Sequence, residues 1–231
     1  MKNINIGSRL KMAASFIEQG KTVCDVGCDH GKLSLYLLTQ GRAEKIIATD
    51  INKLPLQKAV DLLRQNGLSH RAECLLTDGL QGIEETKDIS HVLIAGLSGQ
   101  TMCDVIAAAP FIKAQATQLV LLPAQGGNRI RDFLYRNGFS ILQEKTVGEK
   151  GKYYAVIKAV YTGDFINPST YDCFIGESGK NEGEDALGYF KMVLSLLQKK
   201  QKGLVLGDGE GIEEVNSAIE KIKKLIKDNI D

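Results

Sequence analysis

The sequence predicts an α/β domain with a mostly parallel β-sheet, followed by a pair of C-terminal helices. Short continuous runs of apolar residues alternate with amphipathic segments of helical period over residues 1–162. A strand that is buried on both faces consists of a continuous run of apolar residues. The alternation of such strands with helices is typical of a parallel sheet covered by helices on both sides. Hydrophobic residues make up 43% of the 231-residue chain, an ordinary proportion for a globular protein with a substantial core.

The first half of this domain repeats a strand–helix unit. A first helix is expected to begin after Ser8, a residue type favoured at the N-cap, and to stop at Gly20. A buried strand (22–26), a helix (32–40) and a second strand (45–49) follow. The next helix has Pro55 in its first turn and ends at Gly67.

The second half continues the alternation and ends differently. We expect strands at 72–76, 91–95 and 119–122, with helices at 102–109 and 129–136. Strands at 140–147 and 153–161 close the domain around a turn at 148–151. No helix separates this last pair, so one of the two should run antiparallel to the others. The predicted fold class is therefore a Rossmann-like class I methyltransferase sheet, mostly parallel with one antiparallel edge strand.

Residues 163–231 are predicted to form a second unit. Residues 163–184 are rich in Gly, Ser and Asn and indicate a polar connector. Helices at 187–202 and from Ile212 onward would form an αα-hairpin around a turn at 203–211. In the last helix, apolar residues recur at alternating steps of three and four, as in a coiled coil. These residues are Ile212, Val215, Ile219, Ile222 and Ile226.

Charge and composition limit the classes of partner. The net charge of +1 does not indicate a dedicated nucleic-acid-binding domain, although a local basic face is compatible with it. No apolar run approaches the roughly 18 residues of a membrane span, and the first residues do not resemble a secretory signal, so we expect a cytoplasmic protein, favoured as a monomer. Cys24, Cys28 and His30 lie close together, but no second ligand pair accompanies them, and no metal site is expected.

Polar and glycine residues follow the predicted strands. Ligands bind beyond the carboxyl ends of strands in open α/β sheets. After the first strand, Gly27 allows a tight turn near a ligand and Gly31 allows a helix to start against the strand. The N-terminus of that helix favours a negative group such as a carboxylate.

The later strand ends complete the pattern of a nucleoside-type cofactor. Asp50, about 20 residues after Gly27, is placed to accept hydrogen bonds from two ribose hydroxyls. Asp78, after the third strand, can accept a hydrogen bond from an adenine amino group. In a methyltransferase, the methyl group of the cofactor and the atom that accepts it should meet at residues 96–99. The candidate cofactor-binding residues are Asp25, Gly27, Cys28, Asp29, Gly31, Asp50, Ile51, Asp78, Gly79 and Gly96.

Two cofactors compete for this site, NAD and S-adenosylmethionine. The glycine turn departs from G-x-G-x-x-G, because Asp29 stands where a pyrophosphate would approach. Its carboxylate would repel a pyrophosphate, whereas it suits a cofactor with an ammonium and a sulfonium. The sequence favours S-adenosylmethionine.

The same residues resemble the TrmK family of bacterial tRNA (adenine(22)-N1)-methyltransferases. The resemblance covers residues 1–160 strongly and the helical tail more loosely, and the pair Asp29-His30 is its most specific element. In chain order it rests on Arg9-Leu10, Asp25–Gly31, Ala48–Ile51, Asp78–Leu80, Ile94–Gly96, Leu121–Pro123 and Lys152–Tyr154.

The resemblance implies methyl transfer to N1 of an adenine in the tRNA core. N1 has an in-plane lone pair, so the transfer needs alignment more than a strong base, and a carboxylate would stabilise the positive charge on the product ring. Asp29 is the candidate for that role, with His30 orienting groups beside it and Ser98 as a third catalytic candidate. Folded tRNA hides N1, so the nucleotide is expected to be extruded.

Basic side chains on two predicted helices are candidate tRNA contacts. They are Arg9 and Lys11 in the first helix, and Arg129 and Arg136, which share one face of a later helix, with Arg131 beside them. Lysines of the C-terminal hairpin could also contact the tRNA backbone. A solvated helix face explains Arg129 and Arg136 nearly as well.

Three positions depart from the family pattern on the expected substrate side. The family usually has Gly-Met-Gly-Gly where this chain has residues 96–99, Gln in place of Leu122 and Glu in place of Ala155. These differences motivate a second hypothesis, a cofactor-binding homologue without catalysis. The near-neutral charge motivates a third, a small-molecule methyltransferase, and an NAD oxidoreductase is a distant fourth.

Overall fold

One sheet organises the part of the chain described by a computed structural model, residues 4–18, 20–83, 88–114, 117–207 and 209–230. Its strands are β1 (Lys21–Val26), β2 (Ala43–Asp50), β3 (Ala72–Leu76), β4 (His91–Ala95), β5 (Gln118–Leu122), β6 (Phe139–Glu149) and β7 (Lys152–Tyr161). They are ordered β3-β2-β1-β4-β5-β7-β6. β1 to β5 run parallel, whereas β7 is antiparallel to its neighbours β5 and β6 at one edge of the sheet. The predicted fold class is confirmed.

Helices cover both faces of this sheet. In chain order, the described α-helices are α1 (Gly7–Ser15), α2 (Lys32–Thr39), α3 (Lys53–Gln65), α4 (Gly99–Ala107), α5 (Phe111–Ala114), α6 (Gly127–Arg136), α7 (Thr170–Phe174), α8 (Glu184–Leu206) and α9 (Ile212–Asp228). Side chains from α1, α2 and α3 share one core with the sheet, and those from α4, α5 and α6 share a second. Successive strand residues alternate between these cores, as Val92 and Leu93 do, which explains why the strands read as continuous apolar runs.

Both ends of α1 and the start of α4 differ from the prediction. α1 begins at Gly7, with Ile6 at its N-cap, and ends before Gly20, so the expected cap and stop are wrong. The hydroxyl of Ser8 instead donates to the carbonyl oxygen of Gly148, 3.0 Å away, and thereby attaches α1 to β6. α4 begins three residues earlier than expected, because the Ser98 hydroxyl accepts a hydrogen bond from the backbone N–H of Thr101.

The turn between β6 and β7 is shorter than predicted. Only Lys150 and Gly151 lie outside the strands, with φ angles of 51° and 73°. Two successive residues with positive φ are the signature of a type I′ turn, whose twist matches that of a β-hairpin.

The C-terminal segment contains more structure than a polar connector. Within residues 163–184 lie α7, whose N-terminus has a capping box formed by Ser169 and Asp172, and a 3₁₀ helix at Gly176–Lys180. Ile175 between them is fully buried. The predicted αα-hairpin is present as α8 and α9, and its apolar core includes Ala155 of β7. None of the described helices has the length and apolar character needed to cross a membrane.

A buried ion pair attaches this segment to the sheet. Nε of Arg131 in α6 lies 2.7 Å from Oε1 of Glu144 in β6, and the two side chains are 1% and 0% exposed. The guanidinium also donates to the carbonyl oxygen of Phe174 and to the hydroxyl of Tyr189, while the backbone N–H of Ser178 donates to Glu144. The expectation that Arg131 contacts RNA is therefore wrong. Its charge is buried and is compensated by an opposite charge and several acceptors.

Candidate functional site

A cleft of about 590 Å³ opens at the carboxyl ends of the parallel strands. Nine of the ten predicted cofactor-binding residues line it, together with the catalytic candidates Asp29 and His30 and the predicted tRNA contact Arg9. The tenth, Gly31, lies at the start of α2. We call this cavity the cofactor cleft.

The loop after β1 needs glycine at its end. Gly27, Asp29 and Gly31 all have positive φ. A Cβ atom on Gly31 would lie 2.7 Å from Cβ of Ala59, so any side chain there would force α3 away from the loop. The prediction was that Gly31 lets the following helix start against the strand, whereas the close contact that requires glycine here is with α3.

Asp50 connects two loops at the floor of the cofactor cleft. It is 7% exposed, and its Oδ2 accepts the backbone N–H of Asp29 at 3.0 Å. Its Oδ1 accepts the N–H of Asn52 at 2.8 Å. Each carboxylate oxygen has a second lone pair, so Asp50 can fix both loops and still accept hydrogen bonds from a ligand diol.

Asp25 adds a second buried carboxylate. Oγ of Ser34 donates to its Oδ2 at 2.5 Å. Burial raises the pKa of Asp25 to about 6, because the charged form loses hydration, and the hydrogen bond from Ser34 offsets only part of this effect. A cationic ligand group would stabilise its ionised form.

Asp29, His30 and Lys58 form a row at the mouth of the cleft. Nδ1 of His30 lies 2.8 Å from Oδ2 of Asp29, and its Nε2 lies 3.0 Å from Nζ of Lys58. An ammonium group only donates hydrogen bonds, so Nε2 must accept and the ring proton must sit on Nδ1, directed at Asp29. Lys58 is a residue that sequence reasoning missed. Asp29 is 71% exposed, so solvent weakens its field within the cleft.

Apolar side chains also line the cofactor cleft. Ile51, Leu97 and Val105 line the cleft together with Asp78 and Gly79. A Cβ atom on Gly79 would lie 2.8 Å from Cγ2 of Val105, so glycine lets the loop after β3 contact α4. Apolar side chains together with a carboxylate can bind a purine base and its amino group.

Main-chain hydrogen bonds pair the loops after β4 and β5. The N–H of Gly96 donates to the Leu122 oxygen at 2.9 Å, that of Ala124 to the Leu97 oxygen at 2.9 Å, and that of Gly99 to the Gln125 oxygen at 2.8 Å. Ser98 caps α4 and does not line the cofactor cleft.

The predicted tRNA contacts fall into two groups. Arg9 lies over the ring of Tyr154 at 5.1 Å, and its backbone N–H donates to Glu149 of β6, while Lys11 is exposed on α1. Arg129 and Arg136 line a different cleft of about 260 Å³, as their spacing on one helix face predicts. Both are engaged in hydrogen bonds, Arg129 with Gln100 and Arg136 with Asp132.

Sequence reasoning missed a third cavity, of about 430 Å³, which we call the aromatic cleft. It lies between the β5–α6 loop and α8, and its rings are Tyr153, Tyr154, Phe174 and Tyr189. These residues come from β7, α7 and α8. Of these residues, only Tyr153 and Tyr154 were indicated by the sequence, as part of the family resemblance.

Known proteins to which this chain is similar include methyltransferases. Residues 6–157 match the family model described as a methyltransferase domain. A tRNA (adenine(22)-N(1))-methyltransferase of Bacillus subtilis is 27% identical over 159 residues, which are 69% of this chain and 66% of that protein. The matched region thus spans slightly less than two thirds of the curated relative.

Two solved structures match over almost the whole chain. A Streptococcus pneumoniae protein in complex with S-adenosyl-L-methionine is 27% identical, with a TM-score of 0.77, and the match covers 96% of this chain and 100% of that one. The Bacillus subtilis m1A22 tRNA methyltransferase TrmK is 22% identical, with a TM-score of 0.82, over 97% and 100% of the two chains.

Proposed function

We propose that this chain, which belongs to the family of methyltransferase domains, transfers a methyl group from S-adenosylmethionine to N1 of adenine 22 in tRNA. The observation that carries the proposal is the cofactor cleft, in which buried Asp50 joins the loops after β1 and β2. The substrate in this proposal, adenine 22 of tRNA, is inferred from the activity of the Bacillus subtilis relative. The enzyme would act on tRNA in the cytoplasm, as a monomer.

The residues of the cleft fit S-adenosylmethionine by their chemistry. Buried Asp25 is a partner for the cofactor's ammonium, and Asp50 for its ribose hydroxyls. Asp78, beside Ile51 and Val105, is a partner for the adenine. Gly27 and Gly96 leave the space between these groups open, since a Cβ on Gly27 would reach only to 3.6 Å from Leu97 and one on Gly96 would meet nothing within 4 Å. When bound, the cofactor supplies an electrophilic methyl group on its sulfonium.

The side chains at the cleft mouth position the acceptor and its charge. Asp29 is the carboxylate proposed to stabilise the positive charge on the methylated ring. His30, held between Asp29 and Lys58, would fix the direction of that carboxylate, since its Nδ1–H donates to Asp29. Ser98 would contribute by capping α4 and so holding the loop after β4.

Basic residues around the cleft are proposed to bind the tRNA backbone. Arg9 and Lys11 lie on α1, and Arg9 lines the cofactor cleft itself. Arg129 and Arg136 lie with Lys200 of α8 in the separate cleft on α6. Contacts to phosphate give affinity and orientation without reading the sequence.

Methyl transfer to defined tRNA tests the proposal. Purified protein, labelled S-adenosylmethionine and unmodified tRNA transcript should yield 1-methyladenosine at position 22, mapped by nuclease digestion and mass spectrometry. The matched control is the same transcript with guanine at that position, which should remain unlabelled. Cofactor binding without transfer to any tRNA, or equal labelling of the control, would refute the proposal.

A further inference from the structure

The aromatic cleft lies beside the cofactor cleft but is separate from it. Among the described residues, the two cavities share no lining residue. They adjoin where Arg9, which lines the cofactor cleft, covers the ring of Tyr154, which lines the aromatic cleft. The paired loops also separate them, since Leu97 faces the first cavity and its hydrogen-bonding partner Ala124 faces the second.

Two of the aromatic rings of this cavity, those of Tyr153 and Tyr189, are held by neighbouring residues. A Cβ atom on Gly188 of α8 would lie 2.1 Å from the ring of Tyr153, so only glycine lets that ring lie against the helix. A Cβ atom on Gly148 would lie 3.3 Å from Cε1 of the same ring. The hydroxyl of Tyr189 is held by Arg131 at 3.0 Å. Rings held in this way lose little conformational entropy when a flat ligand stacks on them.

The polar and charged groups of the cavity fit one nucleotide. The side-chain amides of Gln125 and Asn128 line it and can both donate and accept, as reading a base edge requires. Lys152 and Lys191 line an adjoining hollow that shares Tyr153, Tyr154 and Met192 with the aromatic cleft. Stacking rings with positive charges at the rim are the combination that binds unpaired bases and their phosphates.

We propose that the aromatic cleft binds the base of a nucleotide adjacent to the methylated adenine in the substrate RNA. The inference rests on the proposed function. The methylated base must present N1 to the cofactor cleft, so a base in the separate aromatic cleft belongs to a different nucleotide. Extruding one nucleotide removes the stacking of its neighbours, and the rings of Tyr153 and Tyr154 replace part of that stacking.

A tryptophan reporter tests base binding directly. The chain contains no tryptophan, so M192W introduces a single one into the cavity lining. Titration with the RNA trinucleotide ApApA should quench its fluorescence to saturation, whereas ribose 5-phosphate should not. The matched control is L142W, at an exposed position near the start of β6, away from the carboxyl ends of the parallel strands, and it should show no saturable quenching. An unresponsive M192W, or equal quenching by ribose 5-phosphate, would overturn the proposal.

Kinetics with tRNA test whether the bound base belongs to the substrate. Y153A should raise KM for tRNA about tenfold, as expected for the loss of one stacking platform, with kcat and cofactor affinity unchanged. Y153F keeps the ring and should behave like the wild type. A wild-type KM in Y153A contradicts the proposal, and the fluorescence titration decides the matter if that variant does not fold. An active wild type with an unresponsive M192W overturns this inference alone, whereas an inactive wild type overturns the proposed function.

Discussion

Replacing Arg131 by methionine is expected to leave a buried carboxylate without its cation. The fully buried Glu144 would retain only the N–H and hydroxyl of Ser178, at 2.7 and 2.6 Å. The change would also remove the donors that now reach the Phe174 carbonyl oxygen and the Tyr189 hydroxyl. The perturbation therefore acts where β6, α6, α7 and α8 meet.

The size of the effect follows from the burial of both charges. Removing one partner of a buried ion pair costs about 3–5 kcal/mol of unfolding free energy. In a protein of this size each kcal/mol lowers Tm by about 2–4 °C, so R131M should melt roughly 6–20 °C below the wild type. The exposed pair between Arg136 and Asp132 provides a matched control, since solvent screens both charges and R136M should melt close to the wild type.

Thermal unfolding of a double-mutant cycle separates the ion pair from the other contacts of Arg131. The double variant R131M/E144L removes both charges and should lose much less stability than the sum of its two single variants. Melting followed by circular dichroism, with urea titrations for the free energies, measures all four proteins. Two results would show that the buried pair does not stabilise the attachment of the C-terminal segment. One is an R131M variant with the same Tm as R136M, and the other is a double variant whose loss of unfolding free energy equals the sum for the two single variants.

Three further predictions concern the site and the pH dependence of the protein. D50A should weaken S-adenosylmethionine binding by about 1.5–3 kcal/mol in calorimetry, the range for a hydrogen bond to a charged group, while D61A on the surface of α3 should not change it; equal affinities would remove Asp50 from the site. Burial raises the pKa of Asp25 to about 6, so cofactor affinity should rise from pH 5 to pH 7 as the carboxylate ionises, and a rise of the same size in D25N would contradict its role. Burial lowers the pKa of His91 to about 4, below its unfolded value of about 6.5, so the folded state resists protonation and its stability falls as the pH drops through this window. Between pH 7 and pH 5 the wild type should lose about 2 kcal/mol more than H91Q in urea titrations, and equal losses would show that His91 is not responsible.

Most of the sheet was predictable because its strands are buried on both faces. Val92, Leu93 and Ile94 succeed one another in β4 without a polar residue, since each side of the sheet is covered by helices. The convergence of Gly27, Asp50 and Asp78 was predictable for a related reason. Parallel strands end at one edge of the sheet, so the residues that follow them meet there.

Features that depend on distant partners were not predictable from local pattern. Arg131 has the same helical context in the sequence as Arg129, but its partner Glu144 lies on the next strand, and only the packed structure distinguishes a buried charge from an exposed one. Ser8 carries a capping signal, yet its hydroxyl bonds to the end of β6. α7 has only five residues, which is too short for an amphipathic period to stand out among the polar residues around it.

The three departures from the family pattern differ in what they can do to catalysis. Leu122 is fully buried in the core, and Ala155 packs against the C-terminal hairpin, so neither lines the cofactor cleft. In the loop after β4, only main-chain atoms make the hydrogen bonds to the loop after β5. Gly99 keeps the glycine that this pairing needs, because a Cβ there would lie 2.1 Å from the Gly126 oxygen. Leu97 alone among the altered side chains lines the cofactor cleft, and a leucine in place of methionine conserves volume and apolar character. The path of the loops after β4 and β5 is therefore fixed by backbone contacts that the substitutions leave intact, which weakens the physical argument for a cofactor-binding protein without catalysis.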